Sequence, residues 1–272
     1  MAMLFALFAT TACAPYSITD YAARHEMTVR QLEGAGFEHL VVERPAVDPS
    51  GPLHIYIEGD GMPWAGNLPS ADPTPRDTLA LRLMDADHGN VAYVGRPCYF
   101  GMDALSGRCN QSLWTSQRYG AEVVHSMAAV IAQLLSPSHP GVVLIGHSGG
   151  GVLAVLLESE VEGVKGVITV GANLDTDAWT RYHGYDPLEG SINPMTQSRN
   201  GAALHLQYIG GDDDVVPPAT VRAYAGAHSG VVLIEKPGFS HVCCWERAWP
   251  EILRDASDRF AGGSVNESKR LQ

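Results

Sequence analysis

The sequence predicts an α/β fold in which helices cover both faces of a mostly parallel sheet. Three observations lead to this prediction: short apolar segments recur along the chain, segments with helical spacing separate them, and a glycine-rich turn directly follows one apolar segment. Strands of a parallel sheet are buried on both faces, so they are apolar throughout and do not alternate. The 272 residues show no internal repeat, so one domain is the simplest organisation.

The predicted elements alternate along the chain. Strands are expected at residues 53–57, 91–94, 142–145, 164–170, 203–209 and 231–234. Helices are expected at residues 78–84, 121–135, 152–157, 219–225 and 245–260. Strand alternating with helix indicates parallel pairing. The segment at about 176–201 does not fit this alternation, because it is rich in Gly, Pro, Asn and aromatic residues, and we interpret it as a short cap insertion. A surface loop without a function is the alternative.

The first residues of the chain resemble an export signal. Residues 1–13 form an apolar run too short to span a bilayer, and Ala12-Cys13 is similar to the cleavage and lipidation point of a bacterial lipoprotein. We therefore predict a signal segment at 1–13 and a single domain at 14–272. The protein is expected to be exported, either periplasmic or anchored to the envelope through a lipid on Cys13. A cytoplasmic protein with an apolar N-terminal helix is the alternative.

The remaining cysteines fall into two local pairs, Cys98 with Cys109 and Cys243 with Cys244. We predict that Cys98 and Cys109 form a disulfide that closes a short loop near the mouth of the expected pocket. The pairing of the two adjacent cysteines stays open, because so small a ring would be strained. Buried free thiols are the alternative for all four.

The charge of the chain excludes one class of partner. With 18 Lys and Arg against 30 Asp and Glu, the net charge is −12, and a phosphate backbone would be repelled. Nucleic acid is therefore not expected as a partner. No His or Cys spacing resembles a ligand set, so neither a metal nor another cofactor is expected. We interpret the three consecutive carboxylates at 212–214 as a catalytic acid loop and not as a calcium site.

The strongest local signal is a Gly-x-Ser-x-Gly turn centred on Ser148. An apolar predicted strand runs directly into Gly146, and a predicted helix follows Gly150. Such a turn is sharp enough to require glycine at the flanking positions, and it presents the serine hydroxyl at a helix N-terminus, where developing negative charge is favoured. Ser148 is therefore the predicted nucleophile. A Gly- and Ser-rich turn without a catalytic role is the alternative for this motif alone.

A serine nucleophile needs a base and an acid, which should follow it in the order Ser, Asp or Glu, His. An acidic loop follows the strand at 203–209, and a loop containing His241 follows the strand at 231–234. Both loops leave the carboxyl ends of predicted parallel strands, so they should meet Ser148 at one edge of the sheet. His241 is the predicted base.

These motifs together resemble those of the α/β-hydrolase superfamily over roughly residues 53–260. In this family the acid commonly stands three residues after a glycine and three before the valine of Val-Pro. Among the three carboxylates at 212–214, Asp213 alone has this spacing, from Gly210 and to Val216. The resemblance therefore implies a triad of Ser148, Asp213 and His241. Further segments resemble a group of uncharacterised bacterial exported hydrolases, at 56–61, 96–98, Trp179 and 187–194.

The resemblance also implies an oxyanion hole made of two backbone amides. One is expected from Gly149, which follows the nucleophile. The second is expected from the loop after the strand at 53–57, where Asp60 is the predicted donor and Gly61 the alternative. Many relatives have His-Gly in this loop and this chain has Glu58-Gly59. The Asp60 side chain is expected to point away from the oxyanion, because a carboxylate there would repel it.

The predicted function is hydrolysis of esters or related acyl bonds in small molecules through an acyl-enzyme. The same fold also accommodates lipases, thioesterases, acyltransferases and peptidases, and the sequence does not separate them. The alternative from another class is a catalytically silent binding protein of the cell envelope that keeps the fold.

Overall fold

The computed structural model describes residues 17–44, 50–102, 107–137, 139–199 and 203–262. An eight-stranded sheet runs in the order β1-β2-β6-β3-β7-β8-β9-β10. Its strands are β1 (Thr28–Gly34), β2 (Phe37–Glu43), β3 (Leu53–Ile57), β6 (Asn90–Val94), β7 (Val142–His147), β8 (Val164–Val170), β9 (Leu204–Gly210) and β10 (Val231–Lys236). A separate two-stranded sheet pairs β4 (Trp64–Ala65) with β5 (Leu68–Pro69). The predicted α/β architecture is confirmed.

From β6 to β10 in this order, each strand pairs in parallel with the next. β1 and β2 add an antiparallel hairpin at one edge. The sequence pattern did not predict this hairpin, because β1 is polar at most positions and lacks an apolar run. Since parallel strands end at the same edge, the loops after β3, β7, β8, β9 and β10 all emerge together.

Helices cover both faces of the sheet. They are α1 (Ile18–Arg24), α2 (Leu79–Asp85), α3 (Ala121–Leu134), α4 (Gly149–Leu157), α5 (Thr176–His183), α6 (Pro218–Ala227) and α7 (Trp245–Ala261). On one face, α3 and α4 pack against Ile55 and Ile57 of β3; on the other, α2 and α7 pack with Tyr56. Alternate residues of β3 therefore enter opposite core clusters, as a pleated strand requires.

The predicted cap segment contains more regular structure than its composition indicated. It begins with α5, whose first turn is capped by the Asp175 carboxylate accepting the Ala178 amide at 3.0 Å. The helix ends at Gly184, which takes a left-handed conformation with φ +67°. Trp179 Nε1 and His183 Nε2 both donate to the carbonyl oxygen of Val215, at 2.8 and 2.9 Å. The segment is thus anchored to the loop that carries the acidic residues.

Both cysteine pairs are disulfide-bonded in the structure, Cys98 to Cys109 and Cys243 to Cys244. The predicted first bridge is confirmed, and the pairing that the sequence left open is formed as well. Cys13 and the rest of the predicted signal segment lie outside the described residues. In the part of the chain that the structure describes, no helix is both long enough and apolar enough to cross a membrane.

Candidate active site

Ser148 lies at the turn between β7 and α4, where the backbone is forced into an unusual conformation. Its φ of 53° and ψ of −125° are rare for a residue with a side chain. The neighbouring glycines explain how the turn is possible. A Cβ on Gly146 would lie 2.2 Å from the Gly150 carbonyl oxygen, and a Cβ on Gly150 would lie 2.2 Å from that of Ile57. The strand and helix can approach this closely only without those side chains.

Asp213 and His241 form a hydrogen-bonded pair at the same edge of the sheet. His241 Nδ1 donates to Asp213 Oδ2 at 2.9 Å, and the other carboxylate oxygen accepts the amides of Val215 and Val216 at 3.0 and 2.7 Å. These bonds fix the carboxylate so that one oxygen faces the imidazole. Asp212 and Asp214 are exposed and do not occupy this position. The structure therefore brings Asp213, of the three carboxylates, to His241.

Gly171, which follows β8, leaves room for this pair. A Cβ on it would lie 3.0 Å from Asp213 Oδ2 and 3.2 Å from His241 Nδ1, and its φ is +54°. A role for this glycine was not predicted from the sequence. A side chain here would both strain the backbone and press on the hydrogen bond between acid and base.

The imidazole of His241 is 12% exposed and its pKa is perturbed. Burial lowers the pKa of His241 below its ordinary value, the hydrogen bond that His241 donates to Asp213 opposes this shift, and the neighbouring His147 lowers the pKa further. The ring is therefore held mostly neutral near pH 7, the state that can accept a proton. The Ser148 hydroxyl is partly exposed and makes no hydrogen bond to a described residue, so its contact with His241 is not formed in this structure. Such contacts often tighten only when substrate binds.

His147 connects the nucleophile turn to the histidine loop. Its Nε2 donates to the main-chain carbonyl of His241 at 3.1 Å, and the two rings lie 4.7 Å apart at their centroids. Its Nδ1 lies 3.5 Å from Glu58 Oε1. Glu58 is itself fixed, because its carboxylate accepts the amides of Gly59 and Ala80 at 3.2 and 3.0 Å. His147 is thus part of the wall of the site.

The Asp60 side chain lies close to the nucleophile turn, contrary to the expectation that it would point away. A Cβ on Gly149 would come within 2.0 Å of Asp60 Oδ1. The carboxylate is tolerated there because Arg96 Nη1 and Arg118 Nη1 bind its two oxygens at 2.6 and 2.9 Å. Burial raises the pKa of Asp60, but Arg118 and Arg96 outweigh this effect and lower the pKa to about 2. Neutralisation by arginine replaces the predicted reorientation.

Sequence reasoning missed the two arginines as members of the site. The only available signal was indirect: an aspartate in a buried loop requires a cationic partner, but many arginines could supply it. The amides expected to form the oxyanion hole have no acceptor among the described residues. Neither the Gly149 nor the Asp60 amide donates to another described residue, whereas the Gly59 amide is taken by Glu58.

No group of three or more His, Cys, Asp or Glu side chains in the described ranges is arranged to hold a metal ion. The described surface also contains a cavity of about 420 Å³, lined among others by Ile18, Leu40 and Phe100. Its lining includes neither Ser148 nor His241, so it is separate from the candidate site.

Several solved structures are similar to this fold at low sequence identity. A puromycin hydrolase matches with a TM-score of 0.63 and 18% identity, over 88% of this chain and 39% of that one. The Pyrococcus furiosus esterase Pf2001 matches with a TM-score of 0.60 and 15% identity, over 89% and 94% of the two chains. The chain has the α/β-hydrolase fold.

A third α/β-hydrolase-fold structure, Est1E from Butyrivibrio proteoclasticus, matches with a TM-score of 0.58 and 13% identity, over 86% of this chain and 99% of that one. The chain therefore spans nearly the whole length of the Pyrococcus esterase and of Est1E but only 39% of the puromycin hydrolase. No family model matches the sequence, and no curated protein is significantly similar to it. At these identities the similarity shows the fold alone.

Proposed function

We propose that this protein is a serine hydrolase that cleaves esters or related acyl bonds of small molecules. The observation that carries the proposal is the Asp213–His241 pair, 2.9 Å between Oδ2 and Nδ1, at the sheet edge where Ser148 is held in a left-handed turn. A strained serine, a buried neutral imidazole and an oriented carboxylate are the three groups that acyl transfer by serine requires.

In the proposed reaction, His241 Nε2 accepts the Ser148 proton as Oγ attacks the substrate carbonyl. Asp213 keeps the proton on Nδ1, so Nε2 is the free acceptor, and it stabilises the imidazolium that forms. His241 then protonates the leaving group, which departs as the acyl-enzyme forms. Water, deprotonated by the same imidazole, hydrolyses the acyl-enzyme and restores Ser148.

The negative charge on the carbonyl oxygen would be stabilised by the amides of Gly149 and Asp60. Gly149 begins α4, so its amide lies at the positive end of the helix dipole. Asp60 is preferred over Gly61 as the second donor. A Cβ on Gly61 would collide with the Pro73 carbonyl oxygen at 2.2 Å, so that residue is packed against the proline segment.

An activity-directed fluorophosphonate probe tests the proposal directly. We expect wild-type protein to be labelled and Ser148→Ala to be both unlabelled and inactive while remaining folded. Ser159→Ala is the matched control, because Ser159 lies just beyond the other end of α4 and is exposed. Folded wild-type protein that takes up no probe would instead favour the catalytically silent binding protein.

The acyl group and leaving group are to be found by screening. One of the matched structures is called an esterase and one a puromycin hydrolase, so the panel should contain p-nitrophenyl esters of graded acyl length together with an anilide and a thioester. Turnover of the esters alone would support the esterase assignment over peptidase or thioesterase activity.

We further propose that the protein is exported and that Cys13 carries a lipid. Two disulfides in the structure support export, because such bonds persist mainly in oxidising compartments. Fractionation of cells expressing wild type and Cys13→Ser tests both parts. Release of the variant from the membrane would support the lipid, and recovery of the wild type in the cytoplasm would contradict export.

A further inference from the structure

The Asp60 side chain is the centre of a buried cluster that the proposed reaction does not yet use. Arg96 Nη1 binds Asp60 Oδ1 at 2.6 Å, and Arg118 Nη1 binds Oδ2 at 2.9 Å. The Tyr119 hydroxyl donates to Oδ2 at 2.6 Å. All three donors come from segments distant from Asp60 in sequence, so the loop after β3 is held by contacts across the domain.

The cluster also fixes the main chain of the same loop. The Tyr99 hydroxyl donates to the Asp60 carbonyl oxygen at 3.0 Å, and Arg96 Nη2 donates to that of Arg118 at 2.6 Å. The Arg96 guanidinium lies 5.1 Å from the centroid of the Tyr99 ring and 5.6 Å from that of Tyr119. The side chain and the carbonyl group of Asp60 are thus both restrained. Its backbone amide therefore has little freedom to move.

The charges in the cluster do not balance. One carboxylate is matched by two guanidinium groups, whose side chains are only 1% and 5% exposed. The other carboxylate of this loop, Glu58, is bonded to backbone amides and lies beside His147. A buried charge without a partner is costly, so a cluster selected only for stability would be expected to balance.

The Asp60 carboxylate of this cluster lies next to the nucleophile turn. A Cβ on Gly149 would meet Asp60 Oδ1 at 2.0 Å and the Tyr119 hydroxyl at 2.6 Å, so both groups pack against the residue that follows Ser148. In acyl transfer, this is the neighbourhood in which the carbonyl oxygen becomes negative. The two arginines neutralise the Asp60 carboxylate, which would otherwise oppose that developing negative charge.

We propose that Arg96 and Arg118 are positioning residues for acyl transfer: through Asp60 they hold the second oxyanion amide in place, and they keep the Asp60 carboxylate from opposing the negative tetrahedral intermediate. This inference rests on the proposed serine hydrolase function. Removal of a single oxyanion donor typically lowers kcat by about 10²–10³-fold. Disturbing the clamp that positions a donor should cost somewhat less than its removal.

The test compares variants of the clamp in steady-state kinetics with a p-nitrophenyl ester. Tyr119→Phe removes one hydrogen bond to Asp60 and keeps every charge, so it should fold. We expect its kcat to fall roughly tenfold with KM within about twofold of wild type, because the lost contact acts on the transition state. Arg118→Gln should lower kcat about 100-fold, and Arg118→Lys should restore part of that loss because it retains the charge.

Tyr224→Phe is the matched control. Tyr224 is also buried, but it lies on α6 beside His205 and His228, and its hydroxyl has no hydrogen-bond partner among the described residues. Its kcat should equal that of wild type.

A second readout separates positioning from a merely structural role. An alkyl boronic acid forms a tetrahedral anionic adduct with a serine nucleophile and mimics the intermediate. Its inhibition constant should rise in each clamp variant by the same factor by which kcat falls. Clamp variants with lowered melting temperature but wild-type kcat and wild-type boronate affinity would overturn the inference. Failure of the proposed function would look different, because wild-type protein itself would neither hydrolyse esters nor bind the boronate.

Discussion

Among the Asp–His pairs of the described residues, two lie at opposite ends of the parallel strands. His54 Nδ1 donates to Asp87 Oδ2 at 2.6 Å, and His241 Nδ1 donates to Asp213 Oδ2 at 2.9 Å. His54 is the second residue of β3, so its pair lies near the amino ends of the strands. His241 follows β10 and lies at the carboxyl ends, the edge that carries Ser148.

The surroundings of the two carboxylates differ more than the pairs themselves. Asp87 Oδ2 also accepts the Tyr56 hydroxyl at 2.6 Å, and that hydroxyl accepts Trp249 Nε1 at 3.1 Å. This network ends in core side chains. The second oxygen accepts backbone amides in both pairs: Asp213 Oδ1 accepts those of Val215 and Val216, and Asp87 Oδ1 accepts that of Gly89 at 2.9 Å. An Asp–His distance alone therefore does not indicate catalysis; the strand end at which the pair stands does.

The largest expected difference is between the two histidines. His241→Gln removes the proposed base and should lower kcat on the order of 10⁶-fold, as loss of the base does in other serine triads. His54→Gln should leave kcat within about threefold of wild type and lower the free energy of unfolding by about 1–3 kcal/mol, because Asp87 loses a partner. Ester turnover and urea unfolding measure the two effects. A folded but inactive His54→Gln variant would show that the distinction drawn between the two pairs is wrong.

The acid of the candidate triad should also matter for turnover, with a smaller loss of kcat than the base. Asp213→Asn should lower kcat on the order of 10⁴-fold, because the amide no longer fixes the tautomer or stabilises the imidazolium. Asp212→Asn and Asp214→Asn are matched controls and should stay close to wild type, since both side chains are exposed. The assignment of the acid would be wrong if one of these controls were crippled while Asp213→Asn remained active.

The pH dependence of kcat/KM tests the environment of the His241 imidazole. His241 must be neutral to act as a base, and burial lowers its pKa below the ordinary value of about 6.5. We therefore expect kcat/KM to be lost as pH falls through a midpoint below about 6.5. His147→Gln removes a group that also lowers this pKa, so the midpoint should move to higher pH. A wild-type midpoint clearly above 6.5 would contradict the described environment of the ring.

The smallest effect is expected at Tyr56 in the second pair. Tyr56→Phe removes a donor from Asp87 and an acceptor from Trp249, and should lower the free energy of unfolding by about 1–2 kcal/mol without changing kcat. Burial raises the pKa of Asp87, but its bonds to His54 and Tyr56 lower it below its ordinary value. This stabilisation is present above pH of about 3.9 and is lost as pH falls further. Unfolding of both proteins at pH 7 and near pH 3 would reveal whether the difference shrinks.

The local patterns of the sequence predicted the central strands closely. The strand at 53–57 is reproduced without change, and the predicted strand at 142–145 extends to His147. These strands are buried on both faces, so their composition alone reveals them. The hairpin of β1 and β2 was missed because its edge strand is largely exposed and polar. α5 was missed because glycine and proline farther along its segment obscured eight residues of regular helix.

The site was predictable to the extent that it is made of local motifs. Ser148 and His241 each stand in a turn with its own glycine pattern. The clamp on Asp60 has no such pattern, because its members lie 36, 58 and 59 residues away along the chain. Which arginine reaches a buried carboxylate depends on how the loops fold together, and the spacing of residues in the sequence does not contain that information.

The complete burial of α4 has a consequence for the motions of the site. All nine residues from Gly149 to Leu157 are buried, whereas α5 buries only Thr176 and Thr180. A fully buried helix exchanges its amide hydrogens with solvent only when the whole domain opens. A largely exposed helix exchanges them through local fraying. The amides within α4 should therefore be among the slowest to take up deuterium, and those of α5 among the fastest of any helix. The helix that presents the nucleophile would therefore be a rigid support, whereas the helix that begins the cap segment would fray locally.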